Sequence, residues 1–331
     1  MSRVSIKDVA NQVGVSVATV SLVLNGKDKN GRVSEALAEK IRNEANAMNY
    51  KPNSLARGLR SGRSETIGLI VADISNPFFA QMAFYIQEYA EKHEYSVIIT
   101  NTNESTDKME KMISVLRSRQ VDGFIIVPTE HGEKLIEKLV KDKVPVVLID
   151  RYFPEINVSH VTINNYQASM EATNFLFNLN CKQIAQLVYK NSLPHMQDRM
   201  EGYIDSMKKK NLYNPNLVKE VDYRTLGSDV QKAIFELVSG DTKIDAIFFA
   251  TNTISTIGIK VLADLNIKIP NDIKVVCFDK IDALELSQFS IPYIQQPVSE
   301  MGERSVDLLL QQITQQNIPC MNEILQANLM L

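Results

Sequence analysis

Two groups of residues in this 331-residue chain have the types and spacing to do chemistry. One is compact: Ser16-Val17-Ala18-Thr19-Val20-Ser21-Leu22-Val23-Leu24-Asn25. At 100° per residue counted from Val17, the side chains of Val17, Ala18, Ser21, Leu22 and Asn25 share one helical face, and Val20, Val23 and Leu24 share the opposite one. An outward face of small and apolar groups is odd for plain solvent but suits base edges in a DNA major groove; the alternative is a face that packs on another protein. The other group is dispersed: Asp73-Ile74-Ser75-Asn76-Pro77-Phe78-Phe79, then Asp150-Arg151, Arg199, Asn252, Asp279 and Gln296. Carboxylates and amides that accept from hydroxyls, arginines that donate, and flat apolar rings together suit a sugar ring. Any one of them alone reads as a loop carboxylate or a cap. Gathered at equivalent strand ends, they read as one pocket.

Local signals place the first group on a helix-turn-helix. Ser5-Ile6-Lys7-Asp8 has capping-box spacing, so that Ser5 can bond the Asp8 amide while Asp8 reaches back. Ile6, Val9, Ala10 and Val13 recur at helical spacing, and Gly14 can leave the helix with positive φ. Ser16 caps a second helix, Val17–Asn25, which Gly26 ends. A third, capped by Ser34, turns Leu37, Ile41, Ala45 and Met48 inward. Residues 1–63 hold five lysines and six arginines against two aspartates and three glutamates, a net +6, and the rest of the chain carries −9. A small basic segment beside a large acidic body reads as a polyanion-binding arm joined to a separate ligand-binding unit.

The second group is positioned by an alternating pattern. Apolar runs at Ile67–Ala72, Val97–Ile99, Phe124–Val127 and Val144–Ile149 alternate with amphipathic stretches near 77–93, 106–119 and 132–141. A second series has runs at Ile184–Val188, Val218–Val221, Ala246–Phe249 and Val275–Phe278, with helices near 165–179, 197–210, 228–239 and 253–265. This predicts parallel strands with helical crossovers, in two doubly wound lobes whose strand carboxyl ends face a shared crevice. The fold class is therefore an all-α headpiece plus an α/β body.

Composition and motif content narrow the function classes. With 44% hydrophobic and 23% charged residues, the chain is ordinary globular protein, not disordered or repetitive. Cys181, Cys277 and Cys320 lie far apart and the histidines are scattered, so neither a disulfide framework nor a metal site is indicated, and no cofactor is implied. No G-x-G-x-x-G follows the first strand and no G-x-x-x-x-G-K-[ST] is present, which leaves nucleotide phosphate binding by those routes unsupported. The N-terminus lacks an apolar signal core and no run approaches the roughly 18–20 apolar residues of a membrane span, so a cytoplasmic protein is expected and a transport-type sugar receptor is not. An enzyme is not expected either. Asp150 and Asp279 could form a glycosidase pair, but Arg151 and Arg199 should hold both carboxyls low and deny that chemistry its general acid.

Val4-Ser5-Ile6-Lys7-Asp8-Val9-Ala10, Gly14-Val15-Ser16-Val17-Ala18-Thr19-Val20-Ser21 and Val23-Leu24-Asn25-Gly26 resemble the DNA-binding headpiece of the lactose-repressor family of bacterial transcription regulators. Asn49-Tyr50-Lys51-Pro52-Asn53-Ser54-Leu55-Ala56-Arg57-Gly58-Leu59-Arg60 resembles that family's hinge helix. In the body, Ser75–Phe79, Ile149–Arg151, Arg199–Tyr203, Asn252 with Gly258, Phe278-Asp279 and Gln296-Pro297 are similar to the type I periplasmic, ribose-type sugar-binding fold that the family's effector domain shares. The resemblance implies a headpiece over 1–51, a hinge over 52–63, a first lobe over 64–160 with 292–320, and a second over 161–291 with 321–331.

It further implies Val17 and Ala18 on bases with Leu22 beside them, Thr19, Ser21 and Asn25 on phosphates, and Ser16 on the same surface. Leu59 would wedge into the minor groove with Ala56 against it, flanked by Asn53 and Arg60. Phe79 and Phe78 would stack on an effector ring whose hydroxyls bond Asp150, Arg151, Arg199, Asn252, Asp279 and Gln296; a purine or nucleoside is the alternative effector. The implied protein is a repressor acting as a homodimer on a palindromic double-stranded DNA operator, with dimer contacts near 77–93 and 106–119. No leucine heptad follows the final strand, so no tail-linked tetramer is expected, and the helix at 298–315 lacks the basic face a phosphoprotein co-regulator would need. Three positions depart from the pattern. Leu22 stands where a basic side chain is common, Thr253 replaces aspartate after Asn252, and Cys277 replaces glycine before Phe278.

Overall fold

The computed structural model describes residues 4–26, 28, 33–50, 63–240, 242–281, 290–315 and 318–331. The chain forms two compact units, Met1–Ser64 and Glu65–Leu331. In the first, helices α1 (Ile6–Val13), α2 (Val17–Leu24) and α3 (Glu35–Ala47) close around Val9, Ala10, Val13, Val20, Val23, Ala38, Ile41 and Ala45. At the start of α1 the Asp8 carboxylate accepts from the amide and the hydroxyl of Ser5, both at 2.8 Å. This is the capping box that the spacing predicts, and the Asp8 amide also bonds the Ser5 carbonyl at 3.0 Å. Gly14 leaves α1 at φ +82, with its amide and that of Val15 on the Ala10 carbonyl. Of the predicted hinge over 52–63, residues 52–62, with Asn53, Ala56, Leu59 and Arg60, lie outside the described residues.

The second unit begins with β1 (Thr66–Val71), α4 (Pro77–Lys92), β2 (Ser96–Asn101), α5 (Thr106–Ser118), β3 (Gly123–Ile126), α6 (Glu133–Lys141), β4 (Val146–Ile149) and β5 (Ser159–Ile163). It continues with α7 (Asn165–Asn178), β6 (Ile184–Tyr189), α8 (Pro194–Lys209), β7 (Val218–Val221), α9 (Leu226–Ser239), β8 (Ala246–Phe249), α10 (Asn252–Asp264) and β9 (Lys274–Phe278). Then follow β10 (Tyr293–Gln295), α11 (Val298–Thr314), β11 (Asn322–Leu325) and β12 (Asn328–Met330). One sheet runs β11-β5-β4-β3-β1-β2, all parallel; the other runs β12-β10-β9-β8-β6-β7, parallel except for β12. Strand β1 lies between β2 and β3, and β6 lies between β7 and β8. Each is a switch point, where loops at the strand carboxyl ends part and leave a crevice. No helix among the described residues is long and apolar enough to cross a membrane.

The lobes differ from the sequence division at two strands. Strand β10 pairs with β9 in the second sheet, and β11 pairs with β5 in the first. Residues 293–295 therefore lie in the second lobe and 322–325 in the first, the reverse of the expected assignment. Strands this short and of mixed polarity carry no period that tells one sheet from the other. Strand β5 itself had no predicted counterpart, because Ser159, His160 and Thr162 interrupt its apolar run; all three are buried, and His160 stacks on Tyr152 at 4.3 Å.

Helices α7 and α8 approach closely because Gly202 has no side chain: a Cβ there would stand 2.3 Å from the Tyr166 carbonyl oxygen. Backbone cannot yield as a flexible side chain does, so overpacking at this point displaces α8. Gly202→Ala is expected to destabilise the body by ~1–3 kcal/mol, seen as a lowered melting temperature; an unchanged melt would contradict this seat for α8.

Candidate functional site

Helix α2 presents the expected surface. Val20 and Val23 are buried, whereas Ser16, Val17, Ala18 and Asn25 are exposed, and Thr19, Ser21 and Leu22 are half-buried. The Ser16 hydroxyl accepts the Thr19 amide at 3.1 Å, and the Asn25 side-chain amide donates to the Ser21 carbonyl at 2.6 Å. These bonds fix the hydroxyl and amide groups on one side of an exposed apolar ridge. Leu22 lies on that ridge, where it offers methyl groups and no donor.

In the body, all eight residues expected to face an effector line one cleft: Phe78, Phe79, Asp150, Arg151, Arg199, Asn252, Asp279 and Gln296. The topology explains their meeting, since each lies at or just beyond the carboxyl end of a strand or on a helix that starts there. The two rings meet edge to face, 5.1 Å between centroids. Asn76 caps α4 by accepting the Phe78 amide at 3.0 Å, and the same oxygen accepts from the Asn252 side chain at 2.7 Å. Its amide donates to Thr253 at 3.3 Å, so the departure at Thr253 joins the two lobes directly. Tyr223 donates to Asp73 at 3.1 Å, and Ser192 donates to Glu130 through both amide and hydroxyl. The space enclosed is about 50 Å³. Typical ligand pockets hold ~300–1,000 Å³, so a ring must enter by parting these cross-lobe bonds.

The charges are buried. Arg199 sits with its guanidinium 3.5 Å above the Phe278 ring, donating to Asn165 and to the Ala250 carbonyl, both at 2.8 Å. Burial pulls it down to about 10. Arg151 is held by Glu104 through two bonds of 2.7 Å. Asp279 accepts from Gln296 at 2.7 Å. The sequence reading expected the arginines to lower both aspartates, and the structure reverses it. Burial pushes Asp279 up to about 6 against the pull of Arg199, and raises Asp150 against the pull of Arg151. His195 is held neutral, well below its ordinary value, by burial and by the two arginines.

Several lining residues escaped the sequence reading: Glu104, Tyr189, His195 and Tyr223. His195 had a usable signal. Pro194 occupies the first position of α8, where proline is favoured, so the helix starts three residues before its predicted onset and brings His195 to the cleft. Cys277, which stands where the family pattern has glycine, does not line the cleft. It is buried on the other face of β9 in the second lobe's core, and its thiol is pushed up to about 12 by burial.

A helix-turn-helix unit joined in one chain to a two-lobed body with a polar, aromatic cleft defines an effector-controlled DNA-binding protein. The family model for bacterial regulatory proteins of the lacI family matches residues 5–53, and that for periplasmic binding proteins and the sugar binding domain of the LacI family matches residues 64–326. The chain belongs to the LacI family of bacterial transcription regulators. It is 32% identical to the ribose operon repressor of Halalkalibacterium halodurans, covering 93% of this chain and 90% of that protein. It is 30% identical to catabolite control protein A of Priestia megaterium, covering 96% and 94%. Among solved structures, the lac repressor dimer bound to operator and the anti-inducer ONPF has the same fold, with a TM-score of 0.86 at 21% identity over 99% of this chain and 98% of that one.

The position of Asp279 sets a pH dependence. Its carboxyl is raised from 3.8 to about 6, so the folded chain binds the proton more tightly than the unfolded one. The stability this contributes is present below pH ~4 and lost as pH rises through ~6. Asp279→Asn should therefore gain on the parent by roughly 2–3 kcal/mol between pH 4 and 7. Denaturant titrations across that range check it, and parallel stability curves would contradict it.

Proposed function

We propose that the protein is a transcriptional repressor whose grip on a palindromic operator is set by a small sugar held between the lobes of its body. The observation that carries this reading is the convergence of the eight residues on one cleft, with acceptors and donors arranged around two phenyl rings. The unpartnered Gln296 Oε1 and His195 Nδ1 lie in the same cleft and supply places for ligand hydroxyls. A sugar must part or join the Asn252–Asn76 and Tyr223–Asp73 bonds, so its binding alters how the lobes meet. In a homodimer, that movement biases the two headpieces toward or away from successive half-sites, by no more than the ligand's differential affinity for the two states. We read the cleft as a binding site, not a catalytic one. The raised Asp279 removes the original objection to a glycosidase pair, but the carboxyl is committed to Gln296, as Arg151 is to Glu104.

A thermal-shift screen with free sugars, and with purine bases and nucleosides as the competing class, tests the effector. One sugar should raise the melting temperature, with stabilisation of ~2.7 kcal/mol at a hundredfold excess over its Kd, and Asp279→Ala should abolish the shift. A response to purines alone would remove the sugar and leave the regulator. On the DNA side, Leu22 can offer only apolar contact, for instance to a thymine methyl. Leu22→Arg should move the preference at one base pair of each half-site toward guanine in a binding-site selection; an unchanged preference would contradict the placement of α2 in the major groove.

A further inference from the structure

We infer that Glu104 sets the charge selectivity of the cleft: by holding both ends of the Arg151 guanidinium it commits the site to uncharged, unphosphorylated sugars and turns phosphate esters away. This rests on the sugar reading above. Glu104 follows β2 in a loop where both Asn103 and Glu104 have positive φ, at +49 and +57, and its carboxylate meets Arg151 Nη1 and Nη2 at 2.7 Å each. The remaining nitrogen, Nε, makes no hydrogen bond but lies 3.5 Å from the Asp150 carboxylate. The edge of Arg151 that Glu104 does not hold thus already faces a second carboxylate, and a bidentate carboxylate is the partner such a fork holds best.

The rest of the cleft offers no substitute. Arg199 is tied to Asn165 and the Ala250 carbonyl, with its face on Phe278. The described lining residues include no lysine, and set the carboxylates of Asp73, Glu104, Asp150 and Asp279 against two arginines. Helix N-termini bind phosphate through free amides, but those of α4 and α10 are capped by Asn76 and Thr251, and α8 opens on Pro194, which has no amide to offer, with the Met196 and Gln197 amides already on the Leu193 carbonyl. A phosphate dianion would enter a site where, among the described lining residues, four carboxylates outnumber two guanidinium groups that are already held by protein partners. A neutral sugar meets acceptors already in place, which is what its hydroxyls need.

The test uses the full chain and two probes. In the parent, inorganic phosphate at millimolar concentration should leave the melting temperature unchanged relative to chloride at equal ionic strength. In Glu104→Gln the freed guanidinium should bind phosphate at least about tenfold more tightly than the parent does, whereas Glu104→Asp, which keeps the charge, should restore indifference. Each comparison is made within one cooperatively melting variant, so a general loss of stability does not mimic the effect. A folded Glu104→Gln that stays indifferent to phosphate would overturn the assignment. Independently, the phosphate ester of whichever sugar stabilises the parent should bind at least about a hundredfold more weakly than the free sugar. A tighter ester would overturn the charge selectivity and leave the sugar reading intact. A response to nucleobases alone would remove the sugar reading, while the phosphate series would still decide what Glu104 does.

Discussion

Two guanidinium groups buried between two lobes are the constraint on which the body depends. Arg151 is 8% exposed and Arg199 2% exposed, and an ion moved this far from water is tolerated only when its partners are in place. The partners come from both lobes and from both sheets' carboxyl ends. Asp150 and Asp279 end β4 and β9, and both hold φ +68, a left-handed conformation that non-glycine residues rarely adopt. The neighbouring strands maintain it: the Asp150 amide bonds the Val161 carbonyl and the Asp279 amide bonds the Ile294 carbonyl, each at 2.9 Å. Local strain at matching points of the two lobes aims two carboxylates into the same small space.

That arrangement explains why the lobes, and not a rigid pocket, are the responsive part. Each sheet fixes its own half of the polar set, and the halves meet through few side chains, chiefly Asn76 with Asn252 and Thr253, Tyr223 with Asp73, and Ser192 with Glu130. A hydroxyl-rich ligand can replace those bonds in kind, so entry exchanges one hydrogen-bonded set for another without leaving buried charge unpaired. The basic headpiece is built on a different principle. Its core of small aliphatic side chains settles α2 at one rotation, and that rotation alone turns Val17, Ala18 and Leu22 outward.

Much of this was legible in the sequence where a period or a strand end marked it. Ala246–Phe249 coincides with β8 to the residue, because a buried parallel strand is an apolar run with sharp polar borders, and Val218–Val221 coincides with β7 although that edge strand, with Lys219 and Glu220 at its centre, is mostly half-buried or exposed. Most of the eight cleft residues were legible for the same reason, since Asp150, Arg151, Asn252, Asp279 and Gln296 stand at such a border or just past it, while Phe78, Phe79 and Arg199 lie on the helices that follow. What escaped depends on burial and on distance along the chain. Glu104, among Asn103, Ser105, Thr106 and Asp107, reads as a solvated loop before a helix, and nothing local ties it to Arg151. The direction of the Asp150 and Asp279 shifts was misread because the sequence names the nearby arginines but not the depth at which all four groups lie. The swap of β10 and β11 between lobes was hidden because pairing, not composition, decides where a short strand goes.

The central claim is a coupling between the cleft and the operator, and coupling free energies are reciprocal. The most direct measurement is operator affinity of the full-length chain, at fixed salt, with and without a saturating concentration of the sugar that stabilises it. The account predicts a change of at least about tenfold, matched by an equal change in sugar affinity when operator is present. Unchanged operator affinity, with the sugar demonstrably bound, would contradict it.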